Sequence, residues 1–231
     1  MKNLLPLTLR AQLGRMREPN PLRELLGRIG VQGLHSSIAF GVGARRWSQL
    51  EVQKGARVCR NTYFQINTVD SRKRIIIGER VYIGPNSFFS AGERIELGHD
   101  CLIGASCVLL SAGHSYDDPT VPYATAPIVS YGSIVLEPNV WMGAGAAIVG
   151  GVTVGFGSVI AAGSHVRHSV PPLCLVAGNP MRVLKTYDWK RRDWVRVPSE
   201  RIALEEHMTR HAASLPSLEE FTRSLLEKMK R

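Results

Sequence analysis

Residues 136–171 read LEPNVW, MGAGAA, IVGGVT, VGFGSV, IAAGSH, VRHSVP, six hexads without a slip. An aliphatic residue opens each one: Leu136, Met142, Ile148, Val154, Ile160 and Val166. The fifth position is small or branched: Val140, Ala146, Val152, Ser158, Ser164 and Val170. An α-helix needs apolar residues at a spacing near 3.6, and an ordinary half-buried strand alternates strictly. Neither keeps a six-residue phase through six repeats. Short strands with a turn every sixth residue do, and stacking them gives an all-β solenoid. Three hexads close one coil, so Met142 is expected to stack on Ile160, three hexads later.

Working upstream, the same phase gives IGERVY, IGPNSF and FSAGER from Ile77. Two residues are gained, and LGHDCL, IGASCV and LLSAGH follow from Leu97. A fainter echo runs through Val52, Val58 and Phe64. Cys101 and Cys107 fall in the fifth position of their hexads, which predicts core thiols. The 22 glycines then have a cause: turns that need a positive φ, and places where backbones approach closely.

The period fails between His114 and about Ser133, where the chain runs Gly113-His114-Ser115-Tyr116-Asp117-Asp118-Pro119-Thr120-Val121-Pro122. Closely spaced prolines and two adjacent carboxylates cannot continue a regular coil. A rigid repeat that interrupts itself displays a loop, and such loops commonly carry function. His114 stands at its lip. Imidazole titrates near neutral pH and can take a proton from an attacking hydroxyl or amine. Asp117 or Asp118 could hold the ring in one tautomer, given a folded-back turn.

The flanks differ in composition. Leu22, Leu25, Leu26 and Ile29 make a short helical stripe before Gly30. Pro198-Ser199 precedes a second helical stretch, and Ser217-Leu218-Glu219-Glu220 reads as a capping box opening a third. On that last helix Leu218, Phe221, Leu225 and Met229 share a face. The expected organisation is a partly helical flank over 1–49, the coil over 50–185 with a protruding loop at 115–133, and a helical extension over 186–231. Covering the open coil ends, or packing against another subunit, is the expected role of both flanks.

The chain of 231 residues carries 29 Lys+Arg against 19 Asp+Glu. Residues 111–160 hold no Lys or Arg, so the excess sits toward the ends. Such charge suits phosphates or an anionic surface. The basic groups are dispersed and form no recognised motif, so no nucleic-acid partner is expected. The four cysteines make no close pair and no disulfide framework. The leading leucines Leu4, Leu5, Leu7 and Leu9 are broken by Pro6 and followed by Arg10. That is a poor signal peptide and cannot span a bilayer. A cytoplasmic protein is expected, with peripheral contact to the inner membrane left open.

The repeat resembles the left-handed parallel β-helix of the hexapeptide-repeat acyltransferases over roughly residues 50–185. Its most specific parts are Asn139-Val140-Trp141-Met142-Gly143 and Val176-Ala177-Gly178-Asn179-Pro180-Met181-Arg182-Val183. The galactoside, maltose, nodulation and polysaccharide O-acetyltransferases are most similar. The resemblance implies a left-handed coil, acetyl-CoA as acyl donor, a saccharide hydroxyl as acceptor and no metal. It also implies a homotrimer with the donor lying between neighbouring β-helices. His114 matches the family's catalytic base; Asp117 is the candidate from the loop to hold its ring. Ser106 matches a substrate-binding position, and Tyr116 and Asp118 lie in the acceptor loop. Trp141, Ala144 and Ala162 match the wall of the donor groove, and Arg167, Arg182 and Lys185 are candidates for its phosphates. Where relatives carry a Lys-Asp pair before the prolines, this chain has His168-Ser169, which puts individual phosphate contacts in doubt. An antibiotic-modifying acetyltransferase and a non-catalytic scaffold are the alternatives. A carbonic-anhydrase-like zinc site would need three converging imidazoles, and His99, His165 and His168 are far from His114 in the chain. A serine acetyltransferase would need a large helical domain before the coil.

Overall fold

The computed structural model describes residues 36–68 and 70–230. The stripe around Leu22 to Ile29 and the leucines near the start lie outside the described residues. The rest is a left-handed parallel β-helix with three faces, as expected. Its first face stacks Ser37–Ile38, Arg57–Val58, Tyr82–Ile83, Leu102–Ile103, Trp141–Met142, Val159–Ile160 and Cys174–Gly178. The second stacks Gly43–Ala44, Tyr63–Ile66, Phe88–Ala91, Val108–Leu110, Ala147–Val149 and His165–Val166. The third stacks Leu50–Val52, Ile75–Ile77, Ile95–Leu97, Ile134–Leu136 and Val152–Val154. Met142 pairs in parallel register with Ile160, so three hexads do close one coil.

The hexad positions account for the core. All six leading aliphatics from Leu136 to Val166 are fully buried, and Val140, Ala146 and Ser164 point inward beside them. Cys101 and Cys107 are buried in the same axial core, where burial pushes the Cys101 thiol up to about 12 and raises Cys107 as well. Neither thiol is poised as a nucleophile. The faint upstream echo is real, because Val52, Val58 and Phe64 are all core residues.

Two kinds of corner residue divide the work given to glycine. At the hexad's second position the coils stack backbone on backbone. A Cβ on Gly143 would stand 2.5 Å from the amide nitrogen of Ala162, and one on Gly104 would stand 2.6 Å from that of Ala144. The left-handed turns are separate positions. Between the first and second faces they are Gly41, Asn61, Asn86, Ser106, Gly145 and Gly163, and between the third and first they include Arg80, Asp100 and Asn139. Asparagine and aspartate tolerate this conformation through local hydrogen bonding, so glycine is not obligatory there. The corner between the third and first faces is tied further by Asp100, whose carboxylate accepts from Arg80 Nε at 2.7 Å and lies 2.8 Å from His99 Nδ1. Burial raises the Asp100 pKa, but the bonds from Arg80 and His99 outweigh it and hold it below the usual value.

The coil begins before the expected boundary at residue 50. Ser37–Ile38 and Gly43–Ala44 already pair into the first and second faces. Their hexads are too degenerate to show in the sequence. The other end is also less helical than expected. Met181–Asp188 turns back antiparallel on Cys174–Gly178, and Asp193–Arg196 pairs with it in turn. Only then come helices α1 (Arg201–Ser214) and α2 (Leu218–Met229). Helix α1 lies over the coil end, where His211 Nε2 donates to the Pro172 carbonyl at 2.9 Å. Helix α2 starts with the expected capping box on Ser217 and Glu220. Of its apolar face, Phe221 is buried against Phe156 and Leu173 with Leu225 beside it, whereas Leu218 and Met229 are exposed.

Two substitutions separate the two uses of glycine. Gly145 has nothing within 4 Å of an added Cβ but sits at φ +68, so Gly145→Ala is expected to cost about 1–2 kcal/mol and Gly145→Asn less. Gly143→Ala must push two coils apart and is expected to cost more than Gly145→Ala. Denaturant unfolding of the three variants checks the order. A separate melt tests the cap: Phe221→Ala is expected to lose about 3 kcal/mol as the α2 anchor is removed.

Candidate active site

The interruption falls at the corner between the second and third faces. Between Val108–Leu110 and Ile134–Leu136 the chain leaves the coil and forms an antiparallel hairpin of Ala112–His114 with Ile128–Ser130. The ladder beneath is undisturbed, since Ile134 still pairs with Ile95 below and Val152 above. His114 therefore ends a strand that projects from a rigid support, opposite Ile128, with its side chain exposed.

The ring is held by a backbone group. His114 Nδ1 lies 3.1 Å from the carbonyl oxygen of Ala126. A carbonyl only accepts, so this bond places the proton on Nδ1 and leaves Nε2 as the acceptor nitrogen, without a partner among the described residues. The expected carboxylate partner is not there. Asp117 Oδ2 accepts from Ser115 Oγ at 2.7 Å, and Asp118 Oδ1 accepts from Thr120 N at 2.9 Å and Oγ1 at 2.7 Å. Both close local turns within the loop, because an Asx turn two residues long is nearer to hand than a ring three or four residues back. The bonds from Thr120 also hold the Asp118 carboxyl below its usual pKa.

One contact was invisible to motif reading. The Tyr131 phenol lies across Gly113, so close that a Cβ there would stand 2.0 Å from its oxygen. Gly113 is thus crowded by a neighbouring side chain and not set by its own φ. The Ala126 carbonyl likewise leaves no side-chain signature. Tyr116 and Tyr123 are exposed on the same loop.

The other expected residues fall elsewhere on the prism. Trp141 is 51% exposed on the first face, in register with Leu102 at 42% and Tyr82 at 39%. Ala144 and Ala162 are exposed on successive coils at the corner beside it, joined by the bond from Gly163 N to the Ala144 carbonyl at 3.0 Å. Ser106 belongs to that same corner, one coil earlier. Arg182 and Lys185 lie on Met181–Asp188 at the edge of the first face, opposite Ala177 and Leu175. Arg167 follows the last strand of the second face and is apart from them. The structure thus gathers Ser106, Trp141, Ala144 and Ala162 along one edge, and places His114, Tyr116, Asp117 and Asp118 across the second face from it. Within one chain the two groups do not meet.

A cavity of about 590 Å³ between the third face and α2, bordered by Glu79, Arg80, His99 and Glu137, contains none of these residues. Among the described residues no three histidine, cysteine, aspartate or glutamate side chains converge as metal ligands.

A family model described as the hexapeptide repeat of succinyl-transferase matches residues 74–111 and 133–167, on either side of the hairpin. In that repeat the chain is similar to the hexapeptide-repeat acyltransferases. Among similar proteins, a Saccharomyces cerevisiae protein provisionally named an acetyltransferase is 32% identical over 116 residues, 50% of this chain and 58% of that protein. A Staphylococcus aureus protein with a similarly provisional name is 35% identical over 112 residues, 48% of this chain and 55% of that one. The chain thus spans little more than half the length of the curated relatives it matches. Among solved structures, the Vibrio cholerae hexapeptide-repeat acetyltransferase VCA0836, complexed with acetyl coenzyme A, superposes with a TM-score of 0.51 at 27% identity. That match covers 78% of this chain and 84% of the other. The N-acyltransferase AntD of Bacillus cereus superposes at 0.61 with 20% identity, covering 81% of this chain and 96% of its own, which speaks to the shared fold.

The contact at Gly113 gives a direct test of how the hairpin is built. Gly113→Ala is expected to displace Tyr131 and loosen the loop, which faster proteolytic cleavage between residues 115 and 127 would register. Cleavage at the wild-type rate would show that the phenol moves aside without cost to the hairpin.

Proposed function

We propose that the protein is an acetyl-CoA-dependent O-acetyltransferase acting on a sugar hydroxyl, in the synthesis of cell-surface polysaccharide or lipopolysaccharide. The observation that carries this reading is the single-tautomer imidazole of His114, raised on a hairpin from the coil of an acyltransferase family with Nε2 free. As the sugar oxygen attacks the thioester carbonyl, Nε2 takes its proton. The new C–O bond forms, the C–S bond breaks, and the imidazolium returns the proton to the departing thiolate. The Ala126 carbonyl keeps the ring oriented throughout, the role that Asp117 was expected to fill.

The donor suits the edge lined by Trp141, Ala144 and Ala162. Two exposed methyl groups on stacked coils leave room for a slim pantetheine arm, and the half-exposed indole offers it an apolar wall. Lys185 stands opposite Arg196 across the terminal hairpin, a like-charge pair that a phosphate would relieve. The acetyl-CoA complex of the Vibrio cholerae relative supports this choice of donor. Ser106 at the same corner, with Tyr116 and Asp118 on the loop, would contact the acceptor.

Since donor edge and base lie across a face from each other, a complete site needs a second copy to set its hairpin against the first copy's donor edge. A homotrimer meets that need, and it would cover the exposed ladder of Tyr82, Leu102 and Trp141. Among the described residues no helix is long and apolar enough to cross a membrane. We place the protein in the cytoplasm, with contact at the inner face of the membrane allowed by its basic ends.

Acetyl-CoA thiolysis with a panel of sugars tests the mechanism. His114→Ala is expected to lower sugar-dependent transfer at least ~100-fold. Asp117→Ala is expected to fall by less than ~10-fold, because its carboxylate holds a turn and not the ring. Undiminished transfer in His114→Ala would sink the assignment of the base.

A further inference from the structure

A second pocket lies behind the terminal hairpin, on the side of the cap. It is open to solvent and holds about 280 Å³ between α1 and the strands Met181–Asp188 and Asp193–Arg196, bordered by Thr186, Asp188, His207 and His211 with Arg191 and Arg210 exposed at its rim. None of these residues has a part in acyl transfer as described above.

Its chemistry is unbalanced. His211 is only 6% exposed, and its Nε2 is committed to the Pro172 carbonyl, so Nδ1 is left without a partner among the described residues. One helical turn earlier, His207 uses Nε2 on Thr186 Oγ1 at 2.8 Å, and its Nδ1 is free in the same way. Arg191 and Arg210 border the same space, and neither guanidinium is in an ion pair among the described residues. The one acid, Asp188, is occupied in part by the amides of Lys190 and Arg191, both at 3.0 Å. Two guanidiniums against one carboxylate leave the cavity positive even with both imidazoles neutral. A pair of histidines four residues apart on a helix suits a metal ion, but guanidiniums in the same cavity repel one. An oxyanion with several acceptor atoms answers both guanidiniums at once, and Nδ1 of His211 as well when that ring is charged.

We propose that this cavity binds a phosphate-class oxyanion, held by Arg191 and Arg210 and by Nδ1–H of a protonated His211, separately from the acyl donor. Ser214 borders the cavity too and offers a hydroxyl, although it donates to the His211 carbonyl at 2.9 Å. Binding takes up a proton, because Nδ1 donates only when the ring is charged. Affinity therefore rises as pH falls. The charged and titratable groups facing the imidazoles are Asp188 and Arg191 from the hairpin, Cys174 from the last coil strand and Arg210 from α1 itself.

Sulfate is the clean probe, since its charge is constant between pH 6 and 8 while imidazole titrates. Calorimetric titration of the full chain is expected to show one saturable site, at least ~5-fold tighter at pH 6 than at pH 8. Arg210→Gln is expected to weaken it at least ~10-fold with an unchanged melting temperature, as that exposed side chain has no hydrogen bond or ion pair among the described residues. His211→Gln would add to this, but it disturbs the cap, so Arg210→Gln decides. Saturating acetyl-CoA is expected to leave sulfate affinity unaltered. Inorganic phosphate and a sugar phosphate, compared at one pH, then distinguish the free ion from a phosphate ester as the source. No saturable binding, wild-type affinity in Arg210→Gln, equal affinity at both pH values, or displacement by acetyl-CoA would each overturn the proposal. Because none of these readouts involves transfer chemistry, failure here is distinct from failure of the His114 mechanism.

Discussion

Everything in this molecule depends on how closely one coil's backbone lies on the next. At Gly104, Gly143 and their equivalents the main chains of neighbouring coils approach to a distance that a single methyl group would violate. That approach lets short strands of two or three residues pair in unbroken parallel ladders. No strand of that length is stable alone; each is held by a copy above and below. The aliphatic interior follows from the same spacing, because stacking fixes which hexad positions face the axis.

A scaffold so regular offers few places for chemistry, and the chain uses the corners. The corner between the first and second faces is kept small and exposed at Ala144 and Ala162. The corner between the second and third accepts insertions, and there the hairpin raises His114. The corner between the third and first faces is the structural one, tied by Arg80 and Asp100 and covered by α2 near Gly157. The ion pair, the exposed alanines and the hairpin thus fall on different edges of one prism.

Much of this was legible in the sequence, for a physical reason. A solenoid repeats its constraint every coil, so Leu136 through Val166 announce the fold six times over. The break at His114 was legible by contrast with that rhythm. What escaped had no repeated signal. Ser37–Ile38 and Gly43–Ala44 form the first coil from hexads too worn to count. The terminal strand Met181–Asp188 alternates like any strand but follows no hexad. Within the site, the carboxylates of Asp117 and Asp118 drew attention because side chains are printed in a sequence and carbonyls are not. The Ala126 oxygen that holds the ring could be found only from the register of the hairpin.

The continuity of the ladder under the hairpin has a consequence for how such a protein can diversify. Ile95, Ile134 and Val152 keep their pairing whether the chain takes a short corner, as it does at Gly150 and Gly151, or a long excursion before Ile134. The support does not register what is hung from it. Loop length and composition can then drift, or be grafted, with little penalty in folding. The hairpin in this architecture is a cheaply exchanged part, mounted on one that tolerates almost no change.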